Sequence, residues 1–254
     1  MRGRLGWTVF GCLLLSLLIS ACGGDGGSGA LPANGAEVCD KLKEAERFRY
    51  TLNYIVESAQ QDNPPDDSTG GDYAVKPSQV GFKLNIKHNG AAERPDRLDF
   101  EISQPDQPEQ GTSRTIRIGQ NQWFFVGDSW QVVPQDTAFP FSPPNICDVI
   151  VSPLELAGET ADVEKLGDTN TRHIRIDGAS LSAAAQVFGP ASDMGRLLTS
   201  YDIDLWIREN DAHPIKIEAV SRADYPYGRE LSTTFVMEIS SYNDSDIEIQ
   251  PPPI

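Results

Sequence analysis

Residues 80–102 read VGFKLNIKHNGAAERPDRLDFEI, and this stretch decides the fold. Val80, Phe82, Leu84 and Ile86 alternate with Gly81, Lys83, Asn85 and Lys87. After a polar break, Leu98, Phe100 and Ile102 alternate with Asp99 and Glu101. A period of two sends successive side chains to opposite faces of a strand, so each segment has one dry and one wet face. That is the habit of an antiparallel sheet packed on one side, because parallel strands are buried on both sides and read as continuous apolar runs. In this reading His88 ends its strand.

The same period extends outward in both directions. Upstream, Tyr50, Leu52, Tyr54 and Val56 alternate with polar residues, Ile55 excepted. Downstream, Ile116 and Ile118 flank Arg117. Trp123–Val126 and Trp130–Val133 flank Gly127-Asp128-Ser129, a hairpin with Gly127 at a positive-φ turn position. Arg172–Ile176, the alternation Ile203, Leu205, Ile207, the pair Ile215, Ile217, and Leu231–Ser240 supply further strands, about nine to eleven in all. Three segments read as helices. Residues 36–48 carry Val38, Leu42, Ala45 and Phe48 at helical spacing, with Cys39 beside that stripe. Residues 146–157 hold a short helix or two, and 179–198 two helical pieces broken at Gly189-Pro190. Residues 60–78 and 103–113 are polar loops at hairpin tips, and the acidic, proline-ended tail 243–254 is extended. The expected fold is α+β, mostly antiparallel β, with a single curved sheet and a few helices in one domain.

The 254 residues are 39% hydrophobic and 23% charged, an ordinary globular composition. Lys and Arg number 21 against 37 Asp and Glu, a formal net charge of −16. Nucleic acid is disfavoured as a partner, since phosphate binding needs clustered cations. An anionic membrane surface repels such a chain unless something tethers it.

A tether is written at the N-terminus. Arg2 and Arg4 precede the apolar run 7–20, WTVFGCLLLSLLIS. The run is too short to span a bilayer, which takes ~20 apolar residues, and it suits a secretory signal. Ile19-Ser20-Ala21-Cys22 follows at once and resembles the lipobox of bacterial lipoproteins. The resemblance implies that 1–21 is a signal peptide and that Cys22 becomes an acylated N-terminus. It places the protein on the extracytoplasmic side of a membrane, at the cell surface or in a periplasm. Residues 22–35 then form a flexible glycine-rich linker. With Cys12 removed and Cys22 acylated, Cys39 and Cys147 remain, an even pair in an oxidising compartment and a predicted disulfide.

A search for chemistry assigns no catalytic residue, no metal ligand and no cofactor site. Gly127-Asp128-Ser129-Trp130 resembles the start of a serine-esterase block, but it lies in a hairpin and lacks the glycine after the serine. His88, His173 and His213 have no metal-ligand or triad spacing. The acidic clusters at Asp62–Asp67 and Asp244–Asp246 lack the spaced oxygen ligands of a calcium loop.

The apolar face offers more. Its alternation serves equally a core filled by the helices and a cavity lidded by them. Its candidate lining is Phe82, Leu84, Ile86, Leu98, Phe100, Ile102, Leu205 and Phe235. The order of features is suggestive: lipobox, linker, amphipathic helix, aromatic strand Arg49–Val56, hairpin Trp123–Trp130, broken helix, Asp204-Leu205-Trp206-Ile207, the turn into His213-Pro214-Ile215-Lys216-Ile217, and the closing Tyr242-Asn243. Over residues 36–251 this order resembles the half-barrel lipoproteins of the LppX/LprG type and the related LolA/LolB carriers, leaving 252–254 as a tail. The resemblance implies a half-barrel sheet wrapped around helices, enclosing an apolar cavity for a lipid or acyl chain. The long loops and the Cys39–Cys147 pair are this chain's own. The expectation is a non-enzymatic, membrane-anchored, monomeric module that binds a lipid or lipidated ligand. The alternative is a filled half-barrel acting as a sensor or interaction module for a basic envelope protein.

Overall fold

The computed structural model describes residues 32–58, 81–93, 96–133, 142–157, 159–178, 198–225 and 229–253, all within the unit Leu31–Ile254. Asn34 opens the first element, α1 (Gly35–Glu44). Its side-chain oxygen accepts from the Glu37 amide at 3.0 Å, while the Glu37 carboxylate accepts from the Ala33 amide at 3.0 Å. This reciprocal cap satisfies amides that a helix N-terminus otherwise leaves open. Val38, Cys39 and Leu42 form the buried stripe. The helix ends at Glu44, sooner than the sequence pattern suggests, and Ala45 is already extended. Phe48 fits the helical spacing and also the period-two row Phe48, Tyr50, Leu52. The sheet wins, because Arg47 onward is paired residue by residue with a neighbouring strand.

The strands are β1 (Arg47–Ser58), β2 (Phe82–Glu93), β3 (Arg97–Ser103), β4 (Thr112–Ile118), β5 (Asn121–Val126) and β6 (Ser129–Val133). After α2 (Pro143–Ile150) come β7 (Ala161–Leu166), β8 (Thr169–Ile176), β9 (Leu198–Arg208), β10 (Pro214–Tyr225) and β11 (Arg229–Ser240). All eleven belong to one antiparallel sheet in the order β6-β5-β4-β3-β2-β1-β11-β10-β9-β8-β7. β6 and β7 are its two edges, so the sheet is open, a half-barrel carrying two helices among the described residues. The first and last strands meet at its centre, where Tyr50 faces Ile239 on one side and Gly90 on the other. A Cβ at Gly90 would lie 2.7 Å from the Phe100 Cβ and 2.8 Å from the Tyr50 ring, so two aromatic side chains close over a glycine. The hairpin at Gly127 is as expected, with φ +66°.

Both helices pack on the same face, called inner below. Val38 and Leu42 of α1, Ile146 and Ile150 of α2, and Leu154 and Leu156 beyond it bury against Leu52, Ile174, Ile203, Leu205, Ile217 and Met237. The Gly35 amide donates to the Leu154 carbonyl at 2.8 Å, fastening the start of α1 to the segment after α2. Cys39 and Cys147 are joined by a disulfide with Cα atoms 5.5 Å apart, across 108 residues of sequence. On the outer face, the tail beyond β11 runs as a strap. Ile249 buries against Ile116 and Trp123. Its amide donates to the Glu93 carboxylate and its carbonyl accepts from Arg97, each at 3.0 Å. Asn243 anchors the strap to Glu46 and Arg47.

Several boundaries differ from the sequence reading. β2 continues to Glu93, so His88 lies mid-strand. α2 begins at Pro143, because proline suits a first turn where no amide bond is lost. β7, ADVEKL, was invisible to periodicity, since as an edge strand it is exposed on both faces and needs no apolar row. Leu198 belongs to β9 rather than to a helix. The 103–113 connection is a β3–β4 hairpin link containing a single 3-10 turn at Pro108–Gln110. The signal peptide, Cys22, the loop 60–78 and the broken helix within 179–197 lie outside the described residues.

Candidate functional site

The register fixes which side chains share the inner face. Tyr54 pairs with Ile86, Val56 with Leu84 and Ser58 with Phe82, so β2 turns Phe82, Leu84 and Ile86 to the side that holds Leu52. His88 faces Ile102, Gly90 faces Phe100 and Ala92 faces Leu98, which carries the row onto β3. Phe235 stands opposite Tyr54, and Leu205 opposite Ile217. All eight sequence-predicted lining residues therefore occupy one face.

They do not share one environment. Leu205, Phe235 and Phe100 are buried members of the core. Leu98 and Ile102 are partly buried against it. Leu84 and Ile86 are half-buried, and Phe82 is 47% exposed. The face is filled at the end nearest Phe48 and Ala92. It is only partly covered at the other end, on β2 to β5. Phe124 of β5 lies level with Phe100, paired to it through Thr115 of β4, and Val126 follows two residues on toward the open end and is 55% exposed. Sequence reasoning missed both. The hairpin is apolar on each face, with Trp123 and Phe125 alternating with Phe124 and Val126, so periodicity alone could not say which pair looks inward. At that end of β1, β2 and β11 a groove of about 510 Å³ is lined by Glu57, Ser58, Gly81, Phe82, Lys83, Glu230 and Ser232, and the register puts Glu57, Lys83 and Ser232 on the outer face, so it opens mainly behind Phe82 rather than on the inner face. Lys83 and Glu57 pair across its rim at 2.6 Å.

The inner face is electrically quiet at its centre. His88 is buried and stacked on Phe100, with ring centroids 5.9 Å apart, and burial pushes its pKa down to about 4. Burial likewise holds the Tyr50 and Tyr201 phenols well above their usual range. Above pH 6.5 this imidazole and both phenols are neutral, which suits apolar contact.

The other two histidines sit elsewhere. His173 stacks on Trp206 on the outer face, centroids 4.2 Å apart. Its Nε2 lies 2.6 Å from Asp204 and its Nδ1 3.4 Å from Glu164. Lys216 caps the same indole at 4.3 Å. His213 packs edge-on against Tyr242 and pairs with Asp211 at 3.1 Å. Ser129 begins β6 opposite Val126, and neither strand of that hairpin carries a histidine. Among the described residues, no three His, Cys, Asp or Glu side chains gather to hold a metal ion. No helix there is long and apolar enough to cross a membrane.

The sequence matches no protein-family model and no curated protein. Among solved structures, a LolA superfamily protein from Nitrosomonas europaea is similar at 10% identity and TM-score 0.29, over 85% of this chain and 96% of that one. A Vibrio parahaemolyticus domain named for outer membrane lipoprotein sorting is similar at 10% identity and TM-score 0.26, over 85% and 95%. A DUF1329 family protein from Desulfovibrio piger is similar at 8% identity and TM-score 0.25, over 84% and 93%. At such identities and TM-scores these likenesses add nothing to the open antiparallel half-barrel already read from the strand order.

Proposed function

We propose that this is a non-enzymatic, lipid-anchored protein of the cell envelope that holds an acyl chain of a lipid or lipidated ligand against the open end of its inner face. Acylated Cys22 tethers it to the membrane, and residues 22–35 let the half-barrel stand off the surface. The observation that carries the reading is the contrast along one face. The same inward rows that are wholly buried under α1 and α2 leave Phe82, Leu84, Ile86, Ile102, Phe124 and Val126 partly or largely exposed on β2–β5. A row of large apolar side chains left open to water marks a binding surface rather than a core. Affinity comes from removing hydrocarbon from water, about 25 cal/mol per Å², and no bond is broken.

Native mass spectrometry of protein purified without detergent tests the reading. A bound lipid mass, or saturable uptake of Nile red by stripped protein, is the expected result. A clean apo mass with no dye uptake overturns it in favour of a filled interaction module.

A further inference from the structure

On the β4–β5 wing of the inner face, two buried side chains each carry a polar atom with no hydrogen-bond partner among the described residues, as the Tyr201 hydroxyl does on β9. Thr115 of β4 is 1% exposed and Gln122 of β5 is 3% exposed, yet among the described residues neither the Thr115 hydroxyl nor the Gln122 amide nitrogen makes a hydrogen bond. An unsatisfied buried polar group costs about 1–3 kcal/mol. Two together, next to each other, ask for a reason. The register makes them neighbours: Thr115 pairs with Phe124, and Gln122, two residues along the same face of β5, pairs with Arg117. Arg117 is half-buried, and among the described residues its guanidinium makes one hydrogen bond, from Nε to the Gly119 carbonyl at 3.5 Å. A hydroxyl, an amide nitrogen and a guanidinium thus share one patch of β4–β5, and all three are able to donate.

The patch adjoins the open apolar end. Along β5, Gln122 leads to Phe124 and then to Val126, all on the inner face. Four residues of strand cover about 14 Å at 3.4 Å each. Across β4 and β3 the same row continues through Phe100 and Ile102 toward Phe82. One end of this strip is apolar and open, and the other offers donors.

We propose that Thr115, Gln122 and Arg117 form a head-group subsite for an oxyanion, a carboxylate or phosphate, on an amphiphile whose chain runs along the inner face toward Phe82 and Val126. The proposal rests on the acyl-binding reading above and deepens it by fixing the class and direction of the ligand. An oxyanion accepts from all three donors at once, and charge-assisted bonds in a partly desolvated site are the stronger kind.

The test is competition for bound Nile red by palmitate, hexadecanol, acetate and inorganic phosphate, on the full chain carrying Cys22→Ser so that no attached acyl group interferes. Palmitate should displace the dye at least about tenfold more tightly than hexadecanol, a difference of about 1.4 kcal/mol. The double variant Thr115→Val, Gln122→Leu replaces the unpaired groups by apolar ones of similar shape, a change expected to leave folding intact. It should bring palmitate to within about twofold of hexadecanol while the hexadecanol affinity stays put. Arg117→Gln should lower the palmitate preference alone. Equal affinity of palmitate and hexadecanol in the parent chain, or an undiminished preference in the double variant, overturns the subsite and leaves acyl binding standing. Acetate or phosphate binding as tightly as palmitate assigns the patch to a free anion and overturns the amphiphile. Failure of both hexadecanol and palmitate to displace the dye overturns the acyl-binding reading itself.

Discussion

Leu205 and Phe82 hold equivalent places in the sequence pattern, each an inward residue of an alternating strand, yet Leu205 is 0% exposed and Phe82 is 47% exposed. Leu205 on β9 lies in the half of the sheet covered by α1, α2 and the Leu154–Leu156 segment. Phe82 begins β2 at the far end of the same face, beside the groove. Alternation therefore decides which way a side chain looks and says nothing about what it meets there. What it meets depends on helices placed by chain connectivity and by one disulfide. Covered and open halves should respond differently to the same kind of damage.

The sharpest contrast comes from truncating both residues. Leu205→Ala leaves a cavity in a close-packed core and should cost about 3–5 kcal/mol, read as a lowered urea midpoint at unchanged slope. Phe82→Ala removes a side chain already half in water and should cost less than about 1 kcal/mol. Comparable losses would mean that the open end is as well covered as the core, and the contrast would collapse.

Next in size is the bridge. Cys39 and Cys147 stitch the two helices of the covered half to each other. Loop-entropy arithmetic puts a ceiling of ~4.7 kcal/mol on a closure of about 100 residues, and typical bridges contribute about 2–4. Thermal melts of the parent chain with and without reductant should differ by that amount, whereas Cys39→Ser should melt identically in both. If the parent chain ignores reductant, the helices are held by packing alone.

The open wing has its own device, on the opposite face. Ile249 of the strap fills a small outer cluster with Ile116 and Trp123, fastened by Glu93 and Arg97. Ile249→Ala should cost about 2 kcal/mol, the low end for buried isoleucine, because a strap relaxes more readily than a strand. Hydrogen exchange should place the loosening in β4 and β5 and leave β9–β11 protected. A uniform loss across the sheet would show that the wing and the covered half unfold as one unit.

How much of this was legible beforehand follows from the same distinction. Strand faces were legible, because Leu84, Phe100 and Leu205 announce them by alternation wherever one face is dry. β7 was not, since Ala161–Leu166 pairs through its backbone and has no dry face to declare. Phe48 was misread as helical because it satisfies both periods at the junction, and only the pairing with β2 breaks the tie. The candidate lining came out on one face yet split between core and open end, because what covers a sheet is written in no local period. The Thr115–Gln122 patch was hidden for a related reason: each residue looks like an ordinary polar member of an exposed strand until burial and lack of a partner are known.

The smallest expected effect is a pH effect, and it ties the open wing to the core at a single residue. His88 sits on the inner face of β2 between Leu52 and Ile102, stacked on Phe100, with its pKa pushed down to about 4 by burial. In the unfolded chain an ordinary histidine titrates near 6.5. Above that pH the ring is neutral in both states and contributes no pH dependence. As the pH falls below about 6.5, the unfolded chain gains a proton that the folded chain refuses. Stability then falls, by up to about 1.4 kcal/mol per unit, and levels off near pH 4 where the folded state also protonates. His88→Phe keeps a ring against Phe100 and removes the proton. Urea midpoints at pH 7 and pH 5.5 should therefore drop further for the parent chain than for His88→Phe, by about 1 kcal/mol. The window stops at 5.5 because carboxylates begin to titrate below it and would blur the comparison. Equal drops in the two chains would mean that water or a ligand-sized opening reaches His88 in the folded state, and the boundary between covered and open face would then lie deeper than Phe100.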